Sequence, residues 1–563
     1  KKFKKQISKT IGFVDQENFL LPTLTVYETV LNSALLRLPK IMSFEEKQKL
    51  VIKVMQDLRI YDIKDRIVGD DFSRGISGGE KRRVSIACEL VTSPSILFLD
   101  EPTSGLDSNN AKNVIECLER LAVLYNRTIV VSIHQPRSNI FQKFDKLILL
   151  GNGEMCYSGT TLDVRDFLKN CGYECPRDYN LADFLIDVTF ETPLTETSED
   201  QEENFENSAH DHAHSHALLS PNTDTAIQGE WAHLAEHRDE LRSLLASTNK
   251  SKYNTIDDAS KKNILTSSML SSKFSESQFY ADLNFQIKNA NASVSETTSE
   301  LAKRQVPKAS FWQQLVILSS RSFKNIYRNP KLLLGNYMLS LLMGLFLGFL
   351  YYGVSNDISG FQNRLGLFFF IITFLGFSSF TGLSSFNLER LIFLKERSNN
   401  YYHPLAYYLS KVISDIFPLR VVPPIILVLI IYPLVGLNMG LGSGIAYPFF
   451  KYIEILIMFN LAIAFLIQSI GFFFQELSNS IIFSVLVLLW SILFSGLFIN
   501  TQEITNIFFK YGLNIEIPGA TILSTFGFHV QHLTLDISIL IAFMVFFFFF
   551  GYVILKWRVV ENR

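Results

Sequence analysis

The sequence has 563 residues, 48% of them apolar and 49 of them Phe, with 52 Lys and Arg against 54 Asp and Glu for a formal net charge of −2. A charge so near zero leaves no basic footprint, which speaks against a nucleic-acid partner. Residues 1–310 carry nearly all the acidic, Ser-rich and Asn-rich sequence and 332–555 is dominated by Phe, Leu and Ile, which excludes a wholly soluble protein.

Along residues 1–190, Thr10–Val14 reads as a strand and is followed by Gln16. Two glycines, Gly78 and Gly79, run into a helix after Ile76-Ser77. Ile96–Leu99 and Thr128–Ile133 are short apolar runs without polar alternation, the pattern of strands buried on both faces. Between them, Ala111–Tyr125 places Val114, Leu118, Leu121 and Val123 near a helical period. Strand, helix, strand implies a βαβ unit in a parallel α/β sheet, with a further strand at Lys146–Leu150. The five cysteines, at 88, 117, 156, 171 and 175, offer no second close pair for a zinc site and read as reduced thiols.

Residues 191–310 are poor in large apolar side chains, so a mostly disordered linker is expected, with a helix around Trp231–Leu245. From 311 to 563, six spans are expected: Leu332–Tyr352, Leu365–Phe386, Val421–Val435 with a polar lead-in from Tyr407–Arg420, Ile453–Phe474, Ile481–Ile499 and Ile537–Leu555. Lys324, Arg328 and Lys331 precede the first span, Arg390, Lys395 and Arg397 follow the second, and Lys556, Arg558 and Arg563 follow the last. That bias puts both ends of the chain in the cytosol, with endomembrane and plasma membrane both compatible.

The chemistry concentrates at the strand ends. Leu97-Phe98-Leu99-Asp100-Glu101 is an apolar strand ending in two acids, which at the carboxyl end of a parallel strand project into the ligand crevice. Asp100 suits Mg²⁺ held near nucleotide phosphates, and Glu101 suits a base that orients an attacking water. Two such acids equally suit the capping of the next helix. The bare backbone of Gly78 and Gly79 can approach phosphate oxygens, with the Ser77 hydroxyl and the helix N-terminus facing the negative charge. Ser104-Gly105-Leu106-Asp107 and His134-Gln135-Pro136 follow, and Gln16 stands where a polar side chain could reach the metal and the water.

In that order and spacing the set resembles the ATP-binding cassette (ABC) ATPase domain. The resemblance makes Gln16 the Q-loop residue, Ser77-Gly78-Gly79-Glu80 the signature motif, Asp100 the Walker B aspartate, Glu101 the catalytic glutamate, Asp107 the D-loop residue and His134 the switch histidine. It implies Mg-ATP bound between two cassettes facing head to tail, each nucleotide held by one protomer's phosphate loop and the other's signature motif. Cassette first and six spans second resembles the G subfamily of ABC transporters, the White-type half-transporters. Asn180-Leu181-Ala182-Asp183-Phe184 looks like the subfamily's Asn-Pro-Ala-Asp-Phe, and Glu389-Arg390-Leu391-Ile392-Phe393 with Lys395-Glu396-Arg397 resembles its cytosolic coupling segment. Asp415–Pro423 resembles the entry to the third span, and Pro518–Phe528 looks most like fungal permeases. The fold expected is therefore an α/β ABC-type ATPase domain followed by an all-α six-span transmembrane domain. The activity implied is ATP-driven transport of an amphipathic or lipid-like substrate by a dimer in the lipid bilayer.

Four residues of the second half attract functional readings. Arg420 lies beside apolar sequence, so it faces a cavity or a partner such as Asp415, or it snorkels to the cytosolic interface. Phe377 matches a family position where aromatics from two subunits pinch the substrate, against a plainer reading as a lipid-facing or core Phe. Glu396 and Arg397 are expected to relay closure of the cassettes to the spans, against a solvated charge run.

Departures from the family pattern are equally specific. No Gly-Lys pair occurs, so the phosphate loop that would precede Gln16 is missing, and truncation before Lys1 is the expectation. Asn500–Asp536 is short for the subfamily's exoplasmic stretch and has no Cys, as though a segment were lost. A rival reading drawn from these two gaps is a membrane-embedded regulatory subunit without its own ATPase activity. His210, His212, His214 and His216 alternate in the linker, and His233-Leu234-Ala235-Glu236-His237 matches a zinc-protease pattern; in low-complexity context both read as coincidence.

Overall fold

The parallel sheet of the cassette is built from β1 (Ile11–Val14), β2 (Ile96–Leu99) and β3 (Thr128–Val131), in that order across the sheet. In this computed structural model residues 11–70, 74–176, 179–190, 267–303, 309–355, 358–437, 446–493 and 532–559 are described. They fall into two compact units, Lys1–His134 with Leu301–Arg563, and Gln135–Glu300. Val14 sits beside Leu99 and Leu99 beside Val131, so the carboxyl ends of all three strands finish level. Parallel neighbours need helical crossovers. These are α1 (Val26–Arg37), α2 (Phe44–Asp57) and α3 (Gly78–Leu90) between β1 and β2, and α4 (Ser108–Tyr125) between β2 and β3.

Local sequence sets where these helices begin. Thr25 with Glu28, Ser43 with Glu46, and Ser77 with Glu80 each form a reciprocal capping box, so the first-turn N–H groups of α1, α2 and α3 find acceptors. Asp107 caps α4, whose Val114, Leu118 and Leu121 are buried as the period predicted, while Val123 is 79% exposed.

The second unit holds α5 (Ser138–Phe141), the antiparallel hairpin β4 (Lys146–Gly151) and β5 (Glu154–Thr160), α6 (Val164–Asn170), α7 (Leu181–Phe190), α8 (Ser267–Glu276) and all but the last turn of α9 (Gln278–Lys303). The strand expected at Lys146–Leu150 is present, and Asn152 and Gly153, both at positive φ, make the tight turn that pairs it with β5. The expectation of a disordered linker over 191–310 fails for 267–303. Leu270 and Phe274, one helical turn apart on α8, are each 1% exposed and join Tyr157, Phe167, Leu168 and Leu185 in one core. Lys273 Nζ also donates to the carbonyl of Cys171 at 3.1 Å. The expected helix around Trp231–Leu245 and the His-rich tracts lie outside the described residues. Among the described residues all five cysteines are free and no cluster could hold a metal ion.

The transmembrane half comprises α10 (Phe311–Tyr327), α11 (Pro330–Leu350), α12 (Ile358–Ser378), α13 (Thr381–Ser398), α14 (Pro404–Asp415), a π-helical turn at Ile416–Val421, α15 (Val422–Val435), α16 (Ala446–Phe473), α17 (Leu477–Leu493) and α18 (Leu533–Trp557). Among the described residues five helical stretches are long and apolar enough to cross a bilayer: Pro330–Leu350, Gly360–Asn387, Pro404–Val435, Ala446–Phe473 and Leu533–Trp557. They coincide with five of the six expected spans. The remaining one falls on α17, apolar but only 17 residues long before the described segment ends. The third span does take in its polar lead-in, and Pro418, which lacks an N–H, sits in the π-helical turn that joins its two halves. Gly344 and Gly348 let α11 approach α15 closely: a Cβ on Gly348 would lie 2.5 Å from Leu434 Cδ1.

Candidate functional site

Where the three strands end, the chain gathers its acids. Asp100 N donates to Val14 O at 2.9 Å, extending the ladder one step past β2. Ser132, just past β3, donates its hydroxyl to Asp100 Oδ1 at 2.6 Å and accepts the Glu101 N–H at 2.9 Å. Gln16 Nε2 donates to Glu101 Oε2 at 2.7 Å. Glu101 itself stands at φ 40°, in the left-handed region that a residue with a Cβ seldom adopts and that concentrates at functional sites. Asp100 and His134 are exposed, His134 lying three residues beyond β3. The fold thus brings Gln16, Asp100, Glu101 and His134 to one edge of the sheet, three of them linked directly or through Ser132. Sequence reasoning overlooked Ser132, whose serine type alone carries no signal.

At the N-terminus of α3, Ser77 N donates to Glu80 Oε2 at 2.7 Å and the Ser77 hydroxyl to the same oxygen at 2.9 Å. Glu80, expected to touch the nucleotide, is therefore engaged in its own helix cap, and Ser77 and Gly78 are the exposed members of the motif. Gly79 is buried against α4: a Cβ there would meet Asn110 Cβ at 2.8 Å, closer than real side chains pack. Asn110 in turn donates to Asp107, and this hydrogen bond holds the exposed Asp107 carboxyl below its ordinary range. The Ser77–Glu80 turn and the Asp107 cap are consequently one packed corner.

A second residue that the sequence did not single out is Arg82, 3% exposed on α3. It donates to the carbonyls of Asp15, Gln16 at 3.0 Å and Asp100 at 2.5 Å. Burial pushes the guanidinium down to about 10, against the pull of the Asp100 and Asp15 carboxylates.

Residues 1–104 match the family model described as ABC transporter, and 313–516 the one described as ABC-2 type transporter. The probable ATP-dependent permease of Saccharomyces cerevisiae is 57% identical over 599 aligned positions, which take in 100% of this chain and 56% of that protein. The broad substrate specificity ATP-binding cassette transporter ABCG2 of Rattus norvegicus is 32% identical, across 88% of this chain and 67% of that one. The chain belongs to the G subfamily of ABC transporters. ABC transporter G family member 24 of Dictyostelium discoideum agrees, at 31% identity over 99% of this chain and 54% of its own length. The chain spans little more than half the length of the first and third of these relatives. One cassette followed by one ABC-2 domain is the half-transporter arrangement.

In this ABC transporter three charged joints among the described residues tie the cassette to the ABC-2 half. Lys395 Nζ on α13 lies 3.2 Å from Asp15 Oδ2, one residue before Gln16. Glu28 on α1 meets Lys324 at 2.9 Å and Arg328 at 2.5 Å, both from α10. Glu89, near the end of α3 and 1% exposed in its side chain, pairs with Arg37 at 2.9 Å and accepts the Tyr401 hydroxyl at 2.8 Å. Burial alone would raise the Glu28 pKa, but the hydrogen bonds from Arg328 and Lys324 and the Lys324 charge bring it down to about 2. A carboxyl whose folded pKa is depressed contributes stability that is fully present above pH 4.5 and lost as pH falls toward 2. Glu28→Gln is therefore expected to flatten the acid side of the profile when thermal unfolding of the detergent-solubilised protein is followed from about pH 5 downward. An unchanged acid slope in that variant would remove Glu28 from the joint.

The expected relays divide. Glu396 accepts two hydrogen bonds from Arg321 of α10, at 2.5 and 2.9 Å, and one from Tyr402 at 2.7 Å. Arg397 bonds to a different helix; it donates to the carbonyls of Leu555, Lys556 and Val559 and so caps the carboxyl end of α18. Arg390 does the same for α16, through Phe474 at 2.5 Å and Gly471 at 3.4 Å. Arg420 is 4% exposed, which rules out snorkelling, and its hydrogen bonds go to the carbonyls of Ser378 and Ser379 and not to Asp415. It does line, with Asp415 and Gln468, a cavity of about 20 Å³. Phe377 is 42% exposed, its ring 5.7 Å from that of Phe380.

Proposed function

We propose that the full-length protein hydrolyses Mg-ATP as a dimer and uses the closure of its cassettes to move an amphipathic or lipid-like substrate between leaflets or outward. One observation carries this reading: adjacent residues of one short loop are held from opposite sides. Lys395 of the ABC-2 half holds Asp15, and Glu101 of the catalytic edge holds Gln16.

The residues fit Mg-ATP on its metal and water sides. Asp100 is an exposed carboxylate with one oxygen fixed by Ser132, and Gln16 turns its nitrogen to Glu101, which reserves its amide oxygen as a second hard ligand. Bound there, the metal would neutralise phosphate charge. Glu101 would orient and deprotonate the attacking water, the more readily because Gln16 and the left-handed backbone fix its carboxylate. His134 would donate a hydrogen bond to a phosphate oxygen, and Ser77 with the first N–H groups of α3 would hold the partner's nucleotide. The phosphate loop is not among these 563 residues, which contain no Gly-Lys pair. Nothing at the catalytic edge favours a subunit devoid of ATPase activity.

Charge and partner follow from the same reading. Lys and Arg at the ends of the first, second and last spans support cytosolic placement of both ends. Exposed Ser77, Gly78 and Asp107 suit a second copy or a related half-transporter. The substrate class rests on Phe377 and the apolar surroundings of the spans. Full-length protein in vesicles containing a fluorescent short-chain phospholipid is expected to move the probe between leaflets only with Mg-ATP, and vanadate should stop it. Hydrolysis without probe movement or stimulation would reject the lipid-like substrate; absence of both would reject the transporter reading for this chain.

A further inference from the structure

We propose that Arg82 is a positioning residue for ATP hydrolysis, the clamp through which the ABC-2 half's hold on Asp15 reaches the catalytic carboxylates. The proposal rests on the ATPase reading above. Past Val14 and Leu99 the backbone ladder between β1 and β2 ends with the Asp100 N–H to Val14 O bond, leaving the carbonyls of Asp15, Gln16 and Asp100 outside the sheet. Arg82 bridges them. One terminal nitrogen reaches the carbonyls of Asp15 and Gln16, and the other reaches the carbonyl of Asp100.

Three features separate this from ordinary core packing. Two of the three acceptors are carbonyls of residues that carry the chemistry, Gln16 and Asp100, and these follow two different strands. Arg82 also leaves its Nε buried without a hydrogen-bond partner, so the side chain retains a desolvated donor while serving the two strand ends. A planar fork of donors can hold two chains at once, which an ammonium on a flexible stem cannot. Finally, Asp15, one anchor of the fork, is the residue Lys395 holds from α13. A pull on Asp15 is thus shared between Gln16, which touches Glu101, and Asp100.

The test uses the full-length protein in vesicles with Mg-ATP as the probe, and compares Arg82→Lys, Arg82→Met, Lys395→Ala and the pair Arg82→Met with Lys395→Ala. Arg82→Met is expected to lower kcat per folded molecule by about 10–100-fold, the scale of a misplaced catalytic group, while KM for ATP moves less than about threefold. Arg82→Lys should recover part of kcat, since one ammonium reaches one strand end. Lys395→Ala should reduce kcat in the parent and add nothing on Arg82→Met, the non-additivity expected of one pathway. A parental kcat in Arg82→Met, additive effects of the pair, or losses that vanish when rates are scaled to the folded fraction would each overturn the proposal. Glu101→Gln serves as the control: if it turns over like the parent, the ATPase reading falls. If it is inactive while Arg82→Met is not, only the clamp falls.

Discussion

Glu101→Gln in the full-length protein leaves ATP binding within about threefold of the parent and lowers steady-state hydrolysis by about 10²–10⁴-fold, the range a positioned general base contributes. The substitution keeps the shape of the side chain and an oxygen able to accept from Gln16 Nε2, so the contact at 2.7 Å survives. The backbone also stays, because the Glu101 N–H is held by Ser132 independently of the side chain. What is removed is the charge that draws a proton from water. Nucleotide binding by a fluorescent ATP analogue and phosphate release, measured on one preparation, check the split. Turnover near the parental rate would take the catalytic role away from Glu101.

Arg321→Ala is expected to destabilise the protein by about 3–5 kcal/mol, the usual consequence of removing one partner from a buried ion pair. Glu396, 12% exposed in its side chain, would be left with the Tyr402 hydroxyl in place of the guanidinium fork. Coulomb attraction across 2.5 Å is large in such a setting, but the desolvation of both ions offsets most of it. The informative variant is therefore the double replacement Arg321→Met with Glu396→Leu, which should recover most of the loss by exchanging the pair for apolar packing. Thermal unfolding in detergent distinguishes the cases. A single-variant effect below about 1 kcal/mol would mean the pair behaves as a surface one.

The candidate catalytic edge was legible as a place in the fold because its determinants are local. Ile96–Leu99 and Thr128–Val131 are both strands, though β3 is not buried on both faces as expected, Val130 being 39% exposed; the residues that follow the strand Ile96–Leu99 needed no tertiary information to be placed at its carboxyl end. Arg82 was illegible for the opposite reason. In Glu80-Lys81-Arg82-Arg83 nothing local says which cation is buried, and its role exists only once β1 and β2 finish level. Lys395, Glu396 and Arg397 show the same limit at finer grain. Successive residues on a helix point about 100° apart, so the three charges reach the cassette, α10 and α18 respectively, and choosing among them required the neighbours. Residues 267–283 were misread because composition was averaged over a long polar stretch, within which Leu270 and Phe274 supply a short apolar face that an existing core can bury.

Helix α3 is a 13-residue rod that bears Ser77 at one end, Arg82 in its first turns, Ser85 bonded to Asn18 in its middle and Glu89 under Tyr401 at the other. At about 1.5 Å per residue it spans roughly 20 Å without a break. In a head-to-tail dimer its leading tip belongs to the neighbour's nucleotide, and its flank belongs to its own. On the proposed function, the helix that Tyr401 of the ABC-2 half touches at one end would thus face two ATP molecules, one at its tip and one along its flank.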